Sequence, residues 1–431
     1  MTRQQKIDVA VVGAGPSGLI LSKLLAMTGA SFRVFERNSD VGGIWDIDAP
    51  NSPMYESAHF ISSRTLSGFP DFPMPDNYPD YPNHKQLLDY IRGFADAFNL
   101  RQHIQFNSDI IKAQQTEEGD WLLEFADGTT QQCGYLICAN GVTWEPNLVT
   151  WPGEFNGEIR HSVTYRSANE FNGKRVLIVG AGNSGVDIAC DASFAADQAY
   201  LSVRRGYHFM PKHIMGKPSD VFAKEGPQLP FKIQQTVFGW MLKAINGNMT
   251  RYGLPEPDHK VFETHPILNT QILHYLGHGD CIAKPDIDHL DGNDVVFIDG
   301  SREQIDLIIT ATGYQHSIPF LDDNTIDFKN GRPNLYLNLF SRKHTNLAVL
   351  GFIEFASAAY ENFTRMAELI VADATTNKNA KLASLKKSHH PDLKGGKHYL
   401  KTKRNANYVN VDTYLKTLDQ VKKDIGLKQT L

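Results

Sequence analysis

The sequence has few of the features that mark disulfide-stabilised, metal-binding or dithiol proteins. Only 4 of its 431 residues are cysteine, and no two of them form a C-x-x-C pair or a metal-ligand spacing. The four are Cys133, Cys138, Cys190 and Cys281. We therefore predict that the protein has no metal site and lies in a reducing compartment, the cytoplasm.

An excess of basic charge and a long apolar run are also missing. The formal net charge is -5, so there is no positive field for binding nucleic acid. No apolar run reaches the roughly 18 to 20 residues that span a bilayer, and the N-terminus lacks a signal-peptide pattern. The 41% apolar content predicts a globular protein of two or more domains whose partner is a small-molecule substrate. Association into a homodimer is a hypothesis that no motif tests.

A glycine-rich turn follows the first apolar segment. The run IDVAVV, Ile7 to Val12, precedes Gly13-Ala14-Gly15-Pro16-Ser17-Gly18 (the first fingerprint) and a helical pattern. Glycines at this spacing permit a tight turn, close approach of a pyrophosphate, and packing of helix on strand. The next predicted strand ends in Glu36, about where a carboxylate meets a ribose hydroxyl. This order predicts dinucleotide binding, and the alternative is a purely structural turn.

The same order recurs later in the chain. The strand RVLIV, Arg175 to Val179, precedes Gly180-Ala181-Gly182-Asn183-Ser184-Gly185 (the second fingerprint), a helix, and a strand that ends at Arg204 and Arg205. Two arginines suit a 2'-phosphate, which a carboxylate would repel. We therefore predict FAD at the first fingerprint and NADPH at the second. The alternative for the arginines is a solvated strand end.

A longer internal repeat supports two related units. FADGTTQQCGYLICANG, residues 125–141, and FIDGSREQIDLIITATG, residues 297–313, align without a gap. Each predicts a turn at Asp-Gly, a buried strand and a turn of small residues. We predict an α/β fold of two Rossmann-like dinucleotide-binding domains, with the NADPH domain inserted into the FAD domain.

The domain boundaries follow from the Pro- and Gly-containing stretch after residue 143. We assign residues 1–150 and 306–431 to the FAD domain and residues 151–305 to the NADPH domain. Within the latter, residues 206–257 carry no fingerprint and are expected to shape a substrate entrance or an interface. The lysine-rich tail, residues 378–404, is predicted to be solvated; docking to an acidic surface and metal binding are the alternatives.

The segment between the fingerprints, FNGEIRHSVTYR, carries a recognisable spacing. Phe155-x-Gly157-x-x-x-His161-x-x-x-Tyr165 resembles the identifying motif of flavin-containing monooxygenases, which are class B flavoprotein monooxygenases, in a soluble bacterial-type form. Gly42-Gly43-Ile44-Trp45, the run DFPMPDNYPDYP and Ala311-Thr312-Gly313-Tyr314 match the family as well. The resemblance covers most of residues 6–370.

The resemblance implies both the chemistry and the site residues. NADPH would reduce FAD, O2 would add at flavin C4a, and the hydroperoxide would be held until an amine nitrogen or sulfide sulfur arrives. No firm catalytic residue is implied. The residues it assigns to FAD are Gly13, Ala14, Gly15, Pro16, Ser17, Gly18, Glu36, Arg37, Gly43, Ile44, Trp45, Ser62, Thr312 and Gly313. Those it assigns to NADPH are Gly180, Gly182, Asn183, Ser184, Gly185, Arg204 and Arg205.

One position departs from the family pattern. Ile61 stands where the family commonly has an asparagine whose amide is thought to hold the nicotinamide and protect the hydroperoxide. Isoleucine offers no hydrogen bond, and His59, on the same face if the segment is a strand, is a partial substitute or an ordinary histidine. The expectation is a leakier enzyme with NADPH oxidase activity that releases H2O2.

Other functions share parts of this pattern. A Baeyer-Villiger monooxygenase acting on ketones would carry both cofactors, but its version of the motif ends in Trp-Pro, whereas here Tyr165-Arg166 stands. An N-hydroxylase signature is not found, and a disulfide reductase would need a dithiol beside the flavin. A non-catalytic redox sensor that binds FAD and NADPH is the remaining alternative.

His161 has no nucleophile motif beside it, so it is not predicted to be a catalyst. With Tyr165 it lies at the predicted crossing between the two domains. We interpret it as a hinge residue that fixes the NADPH domain over the flavin; simple packing is the alternative.

Overall fold

The first sheet of this computed structural model is built around the strand Ile7–Val12. The structure describes residues 5–50, 52–227, 229–329, 331–376, 379–402 and 405–427. Val9, Ala10 and Val11 are fully buried, as expected of a strand covered on both faces. In these ranges nine strands form the sheet. Seven of them lie in the order Leu335–Tyr336, Phe340–Ser341, Leu347–Val349, Thr130–Cys138, Ile7–Val12, Phe32–Phe35 and Ile104–Gln105. The other two are Trp121–Phe125, which also pairs with Thr130–Cys138, and Ile110–Gln115, which pairs with Trp121–Phe125.

The second sheet repeats the parallel core of the first. Its five strands in the described chain are ordered Cys281–Lys284, Gln198–Ser202, Arg175–Val179, Leu307–Thr310 and Glu158–His161, and every pair is parallel. A smaller sheet lies beside it, ordered Arg302–Gln304, Asp294–Phe297, Ile287–Gly292 and Gly153–Phe155. The predicted α/β fold with Rossmann-like units is confirmed.

Ten α-helices surround the sheets in the described ranges. They are Pro16–Ala26, Arg64–Ser67, His84–Ala97, Asn183–Ala195, Ser219–Glu225, Phe231–Asn246, Gln271–His278, Ala359–Thr375, Ala380–Ser388 and Val411–Asp424. The start of His84–Ala97 is fixed by a capping box in which Asn83 and Gln86 each accept from the other's backbone N–H. Such a cap contributes about 1 kcal/mol.

Two short strands join the sheets where the chain crosses between them. Glu145–Pro146 runs antiparallel to Tyr314–Gln315, so the outgoing and returning chains pair with each other. The strand Leu307–Thr310 belongs to the second sheet, although the predicted boundary at residue 306 precedes it. We propose that the inserted domain ends after Thr310.

The lysine-rich tail is more structured than the sequence predicts. Its helix Ala380–Ser388 buries Lys386, which is 1% exposed and pairs with Asp373. The Lys386 ammonium also donates to the carbonyl oxygen of Thr345 at 2.9 Å. Solvation is therefore the wrong prediction for Lys386, because a buried ammonium is tolerated only when it is paired. Residues 378, 403 and 404 of the predicted tail lie outside the described residues.

Candidate functional site

The first fingerprint is a turn that only glycine can form. Gly13 has a φ of 103°, in the region that side chains disfavour. A Cβ added to Gly18 would lie 1.8 Å from the carbonyl oxygen of Gly13, and one added to Gly13 would lie 2.7 Å from that of Ala139. The helix Pro16–Ala26 then begins with Gly15 as its N-cap, so its free N–H groups point at the turn.

The second fingerprint has the same geometry. Gly180 has a φ of 106°, and a Cβ on it would lie 2.7 Å from the carbonyl oxygen of Ala311. A Cβ on Gly185 would lie 1.9 Å from the carbonyl oxygen of Gly180. Ala139 and Ala311 occupy the same position in the two 17-residue repeats. The close contact between the end of this strand and the first glycine of the fingerprint is therefore the same in both units.

A cavity of about 670 Å³ opens beside the first fingerprint, within the usual size range of cofactor sites. Its wall includes most of the residues that the sequence assigns to FAD. These are Gly13, Gly15, Pro16, Ser17, Glu36, Arg37, Gly43, Ile44 and Trp45.

Glu36 is the acidic group of this cavity. One of its carboxylate oxygens accepts from the N–H of Ala14 at 2.7 Å and the other from the N–H of Asn38 at 2.9 Å. Burial raises the pKa of this carboxyl, although the backbone N–H groups of Ala14 and Asn38 oppose the rise. Each oxygen keeps a second lone pair, so Glu36 can still accept from a ribose hydroxyl.

Part of the cavity wall is aromatic. The rings of Trp45 and Phe60 meet edge to face with centroids 5.4 Å apart, and Tyr360 lies 5.9 Å from Phe60. Phe363 completes this wall. Sequence reasoning missed Phe60, Tyr360 and Phe363, because no local pattern indicates that the helix Ala359–Thr375 begins at the cavity.

Two polar side chains in the cavity wall fit a polar ligand. Asn140 Oδ1 and Thr143 Oγ1 are buried and have no hydrogen-bond partner among the described residues. Buried polar atoms without partners are costly. A ribose hydroxyl or a flavin N–H would donate to Asn140 Oδ1, and the Thr143 hydroxyl would donate to a phosphate or flavin oxygen. The Arg37 guanidinium lies 4.1 Å from the Trp144 ring centroid. The cavity thus combines a glycine cradle, a ribose acceptor and apolar wall residues, and these groups fit FAD.

Thr312 and Gly313 lie at the crossing instead. The Thr312 hydroxyl donates to the carbonyl oxygen of Asn147 at 2.6 Å. The Gly313 carbonyl oxygen accepts from the Asn147 N–H at 2.9 Å. By the repeat they correspond to Asn140 and Gly141, and they follow Ala311, which contacts Gly180. We propose that they belong to the second dinucleotide site and the crossing.

His161 joins the same crossing. Its Nδ1 accepts from the N–H of Val163 at 3.1 Å, so Nε2 carries the proton and donates to the Gly313 carbonyl oxygen at 3.0 Å. Burial lowers the pKa of His161, and the ring stands edge-on to Tyr314 with centroids 5.1 Å apart. These contacts hold His161 against the returning chain at the crossing, and its role as a hinge stays a prediction.

We expect His161→Ala to retain FAD but to be reduced by NADPH about tenfold more slowly, because one hydrogen bond holding the crossing is lost. Stopped-flow reduction under anaerobic conditions measures this rate. Reduction at the wild-type rate would leave His161 with a packing role only.

The two arginines after the strand Gln198–Ser202 differ in exposure and in their hydrogen bonds. Arg204 is exposed, whereas the Arg205 guanidinium donates to the Asp258 carboxylate at 2.9 Å. Arg205 is thus already paired, and Arg204 is the stronger candidate for a 2'-phosphate.

His59 and Ile61 flank the buried Phe60. Both are exposed, Ile61 by 37%. The segment forms an isolated bridge at His59 and not the strand on which the shared face was predicted. His59 Nδ1 lies 2.8 Å from the carbonyl oxygen of Ser57. Ser62 is partly buried, two residues after the cavity residue Phe60.

His316 lies between Gln315 and Ser317, two residues of the cavity wall. Burial, together with the charge of Arg332, lowers its pKa to about 3. In the unfolded chain a histidine has a pKa of about 6.5, so the unfolded state takes up the proton first. The stabilising effect of neutral His316 is therefore complete above pH ~6.5 and is lost as the pH falls towards about 3.

We expect acidification from pH 7.5 to 5.0 to cost the native state about 1 to 2 kcal/mol through His316. His316→Gln should remove this part of the pH dependence. Thermal unfolding at both pH values tests it, with His278→Gln as a control because the His278 side chain is 71% exposed. An unchanged acid slope in His316→Gln would contradict the assignment.

In the part of the chain that the structure describes, no group of three or more His, Cys, Asp or Glu side chains could hold a metal ion. Across the same described ranges, none of the helices has the length and apolarity to cross a membrane. All four cysteines are buried and unpaired.

Two dinucleotide turns of equal geometry, one with a carboxylate and one with arginines at the following strand, define a flavin- and nicotinamide-dependent oxidoreductase. The family described as flavin-binding monooxygenase-like matches residues 6–431, and the chain belongs to it. The family confirms the predicted enzyme class, an oxidoreductase that uses FAD, NADPH and O2.

One relative supports this assignment, and two solved structures share the fold. The chain is 33% identical over 371 residues to dimethylaniline monooxygenase (N-oxide-forming) 2 of Macaca mulatta, covering 80% of this chain and 69% of the relative. S-allyl-L-cysteine S-oxygenase of Allium sativum shares its fold with a TM-score of 0.67 at 20% identity, covering 99% of this chain and 90% of that one. An ε-caprolactone-bound cyclohexanone monooxygenase gives a TM-score of 0.73 at 17% identity and covers 99% of both chains.

Proposed function

We propose that this enzyme transfers one oxygen atom of O2 to an amine nitrogen or sulfide sulfur of a small molecule. The observation that carries the proposal is the pair of matching fingerprints, the first of which opens on a cavity lined by both polar and aromatic side chains. The relative named for N-oxide formation supports a nitrogen nucleophile.

The chain's own residues would bind and shield the cofactors. The N–H groups of Gly15, Ser17 and Gly18 would face the pyrophosphate, and Glu36 would accept from the ribose. FAD, when bound, supplies the redox chemistry: it accepts hydride from NADPH and passes electrons to O2. Trp45 and Phe60 would exclude water from the part of the cavity that they line, which suppresses side reactions there.

The motif favours heteroatom oxygenation over Baeyer-Villiger chemistry. Tyr165-Arg166 stands where Trp-Pro marks the ketone-oxidising class. Arg166 stabilises the local backbone, because its guanidinium donates to the carbonyl oxygens of Val163 and Tyr165, both at 2.9 Å.

Substrate-stimulated NADPH consumption tests the proposal. We expect a tertiary amine or a thioether to give its oxygenated product and a cyclic ketone to give none. Lactone formation from the ketone would establish the Baeyer-Villiger alternative. NADPH binding with no oxidation in air, with or without substrate, would indicate a redox sensor.

Ile61 is proposed to make the enzyme leaky. It offers no amide at the position where the family commonly has one, so NADPH oxidation without substrate should release H2O2. We expect Ile61→Asn to lower this release about tenfold, the effect of one added hydrogen bond. A peroxidase-coupled assay without substrate measures it, and Ile61→Val is the control. Equal H2O2 release by Ile61→Asn and wild type would contradict the proposal.

A further inference from the structure

One short segment contacts both the cavity and the helix that follows the second fingerprint. Residues 55–63, here called the flavin-side segment, contribute Phe60 to the aromatic wall. The same segment contacts the second fingerprint's helix, Asn183–Ala195, through its first residues. Near its end, the N–H of Ser63 donates to the Asp220 carboxylate at 2.7 Å, in the region inserted after the second fingerprint.

Two carboxylates on that helix hold the segment. Asp187 accepts from the Tyr55 hydroxyl at 3.1 Å. Asp191, one helical turn later, accepts from the Ser57 hydroxyl at 2.5 Å and from the Tyr165 hydroxyl at 2.8 Å. The hydrogen bonds of Asp191 therefore connect three parts of the chain at one side chain: the flavin-side segment, the segment FNGEIRHSVTYR that contains Tyr165, and the helix Asn183–Ala195.

Further contacts continue this cluster. Asn269 donates to the other Asp187 oxygen at 2.6 Å. The Tyr55 and Tyr165 rings lie 5.7 Å apart, and Tyr165 stacks on Phe171 at 5.0 Å. The backbone also bridges the two parts, since the N–H of Glu56 donates to the Arg166 carbonyl oxygen at 2.8 Å.

Burying these two carboxylates lowers the stability of the fold, but their hydrogen bonds fix the relative positions of the segments that they connect. Burial raises the pKa of both Asp187 and Asp191, because desolvation disfavours their charge. Apolar side chains would pack here without that cost. Hydrogen bonds to hydroxyl groups, by contrast, fix where each partner lies.

We propose that Asp187 and Asp191 are positioning residues that set the nicotinamide site against the flavin. They link the helix whose N-terminus would bind the NADPH pyrophosphate to the segment that forms the flavin wall. Their loss misplaces hydride donor and acceptor without removing either cofactor. The inference rests on the proposed placement of NADPH at the second fingerprint.

The test removes single hydroxyl groups and keeps the rings. In Tyr55→Phe and Tyr165→Phe, anaerobic flavin reduction by saturating NADPH should slow between about tenfold and 100-fold, as expected for a small misplacement of reacting groups. FAD content and reduction by dithionite should stay at wild-type values. Ser57→Ala should act in the same direction.

Tyr135→Phe is a matched control. Tyr135 is also buried, and its hydroxyl donates to the Asp373 carboxylate at 2.5 Å, but both residues belong to elements of the first sheet's unit. It should lower the unfolding midpoint as Tyr165→Phe does and leave the reduction rate unchanged. A purely structural role would make all these variants alike.

The outcomes separate the two proposals. If NADPH reduces the wild type and the Tyr55 and Tyr165 variants at equal rates, the positioning role is overturned and the cofactor placement stands. If the Tyr135 control slows equally, the positioning role is likewise overturned. If NADPH fails to reduce the wild type, the cofactor placement fails, and the positioning role with it.

Discussion

Gly185→Ala should give a protein that retains FAD and is no longer reduced by NADPH. A Cβ at this position lies 1.9 Å from the carbonyl oxygen of Gly180, so helix and turn must separate and the pyrophosphate site opens. We expect the reduction rate to fall by at least about 100-fold. Flavin absorbance per protein and anaerobic stopped-flow reduction measure the two properties.

The internal repeat supplies the matched variant. Gly18→Ala makes the same clash, 1.8 Å from the carbonyl oxygen of Gly13, but at the other fingerprint. It should instead yield protein depleted in FAD whose NADP+ binding is intact. If both variants lose FAD equally, the assignment of one cofactor to each fingerprint is wrong.

Arg204→Ala should lower kcat/KM for NADPH about 100-fold and leave kcat/KM for NADH unchanged. An arginine-phosphate interaction is worth about 2 to 3 kcal/mol, and Arg204 is exposed after its strand. Steady-state kinetics with both nucleotides measure the preference.

Its neighbour is the control. Because Arg205 is already paired with Asp258, we expect Arg205→Ala to reduce kcat/KM for NADPH by less than about tenfold. If the Arg204→Ala variant still preferred NADPH, a residue other than Arg204 would bind the 2'-phosphate.

The sequence predicts those features that local geometry imposes. The glycine positions follow from backbone conformation and close contact, and Glu36 follows from its distance along the chain. The cavity wall at Gly43, Ile44 and Trp45 follows from the family resemblance, which the chain's membership of the family supports.

Features set by packing between distant segments were not predicted. Phe60 and Tyr360 meet although 300 residues separate them, and nothing local to either indicates the contact. Asp187 and Asp191 are ordinary polar positions of a helical pattern until the flavin-side segment is placed against them. Lys386 is one lysine among many until its helix packs on Asp373.

The interleaving of the two sheets also fixes the order in which they can form during synthesis. Every strand of the second sheet has been made once Thr310 leaves the ribosome, whereas the first sheet still lacks Leu347–Val349. That strand pairs with Thr130–Cys138, made far earlier. Because domains generally fold as units during translation, the second sheet is complete while the first waits for its last strands, and Tyr360 and Phe363 join the cavity wall only afterwards.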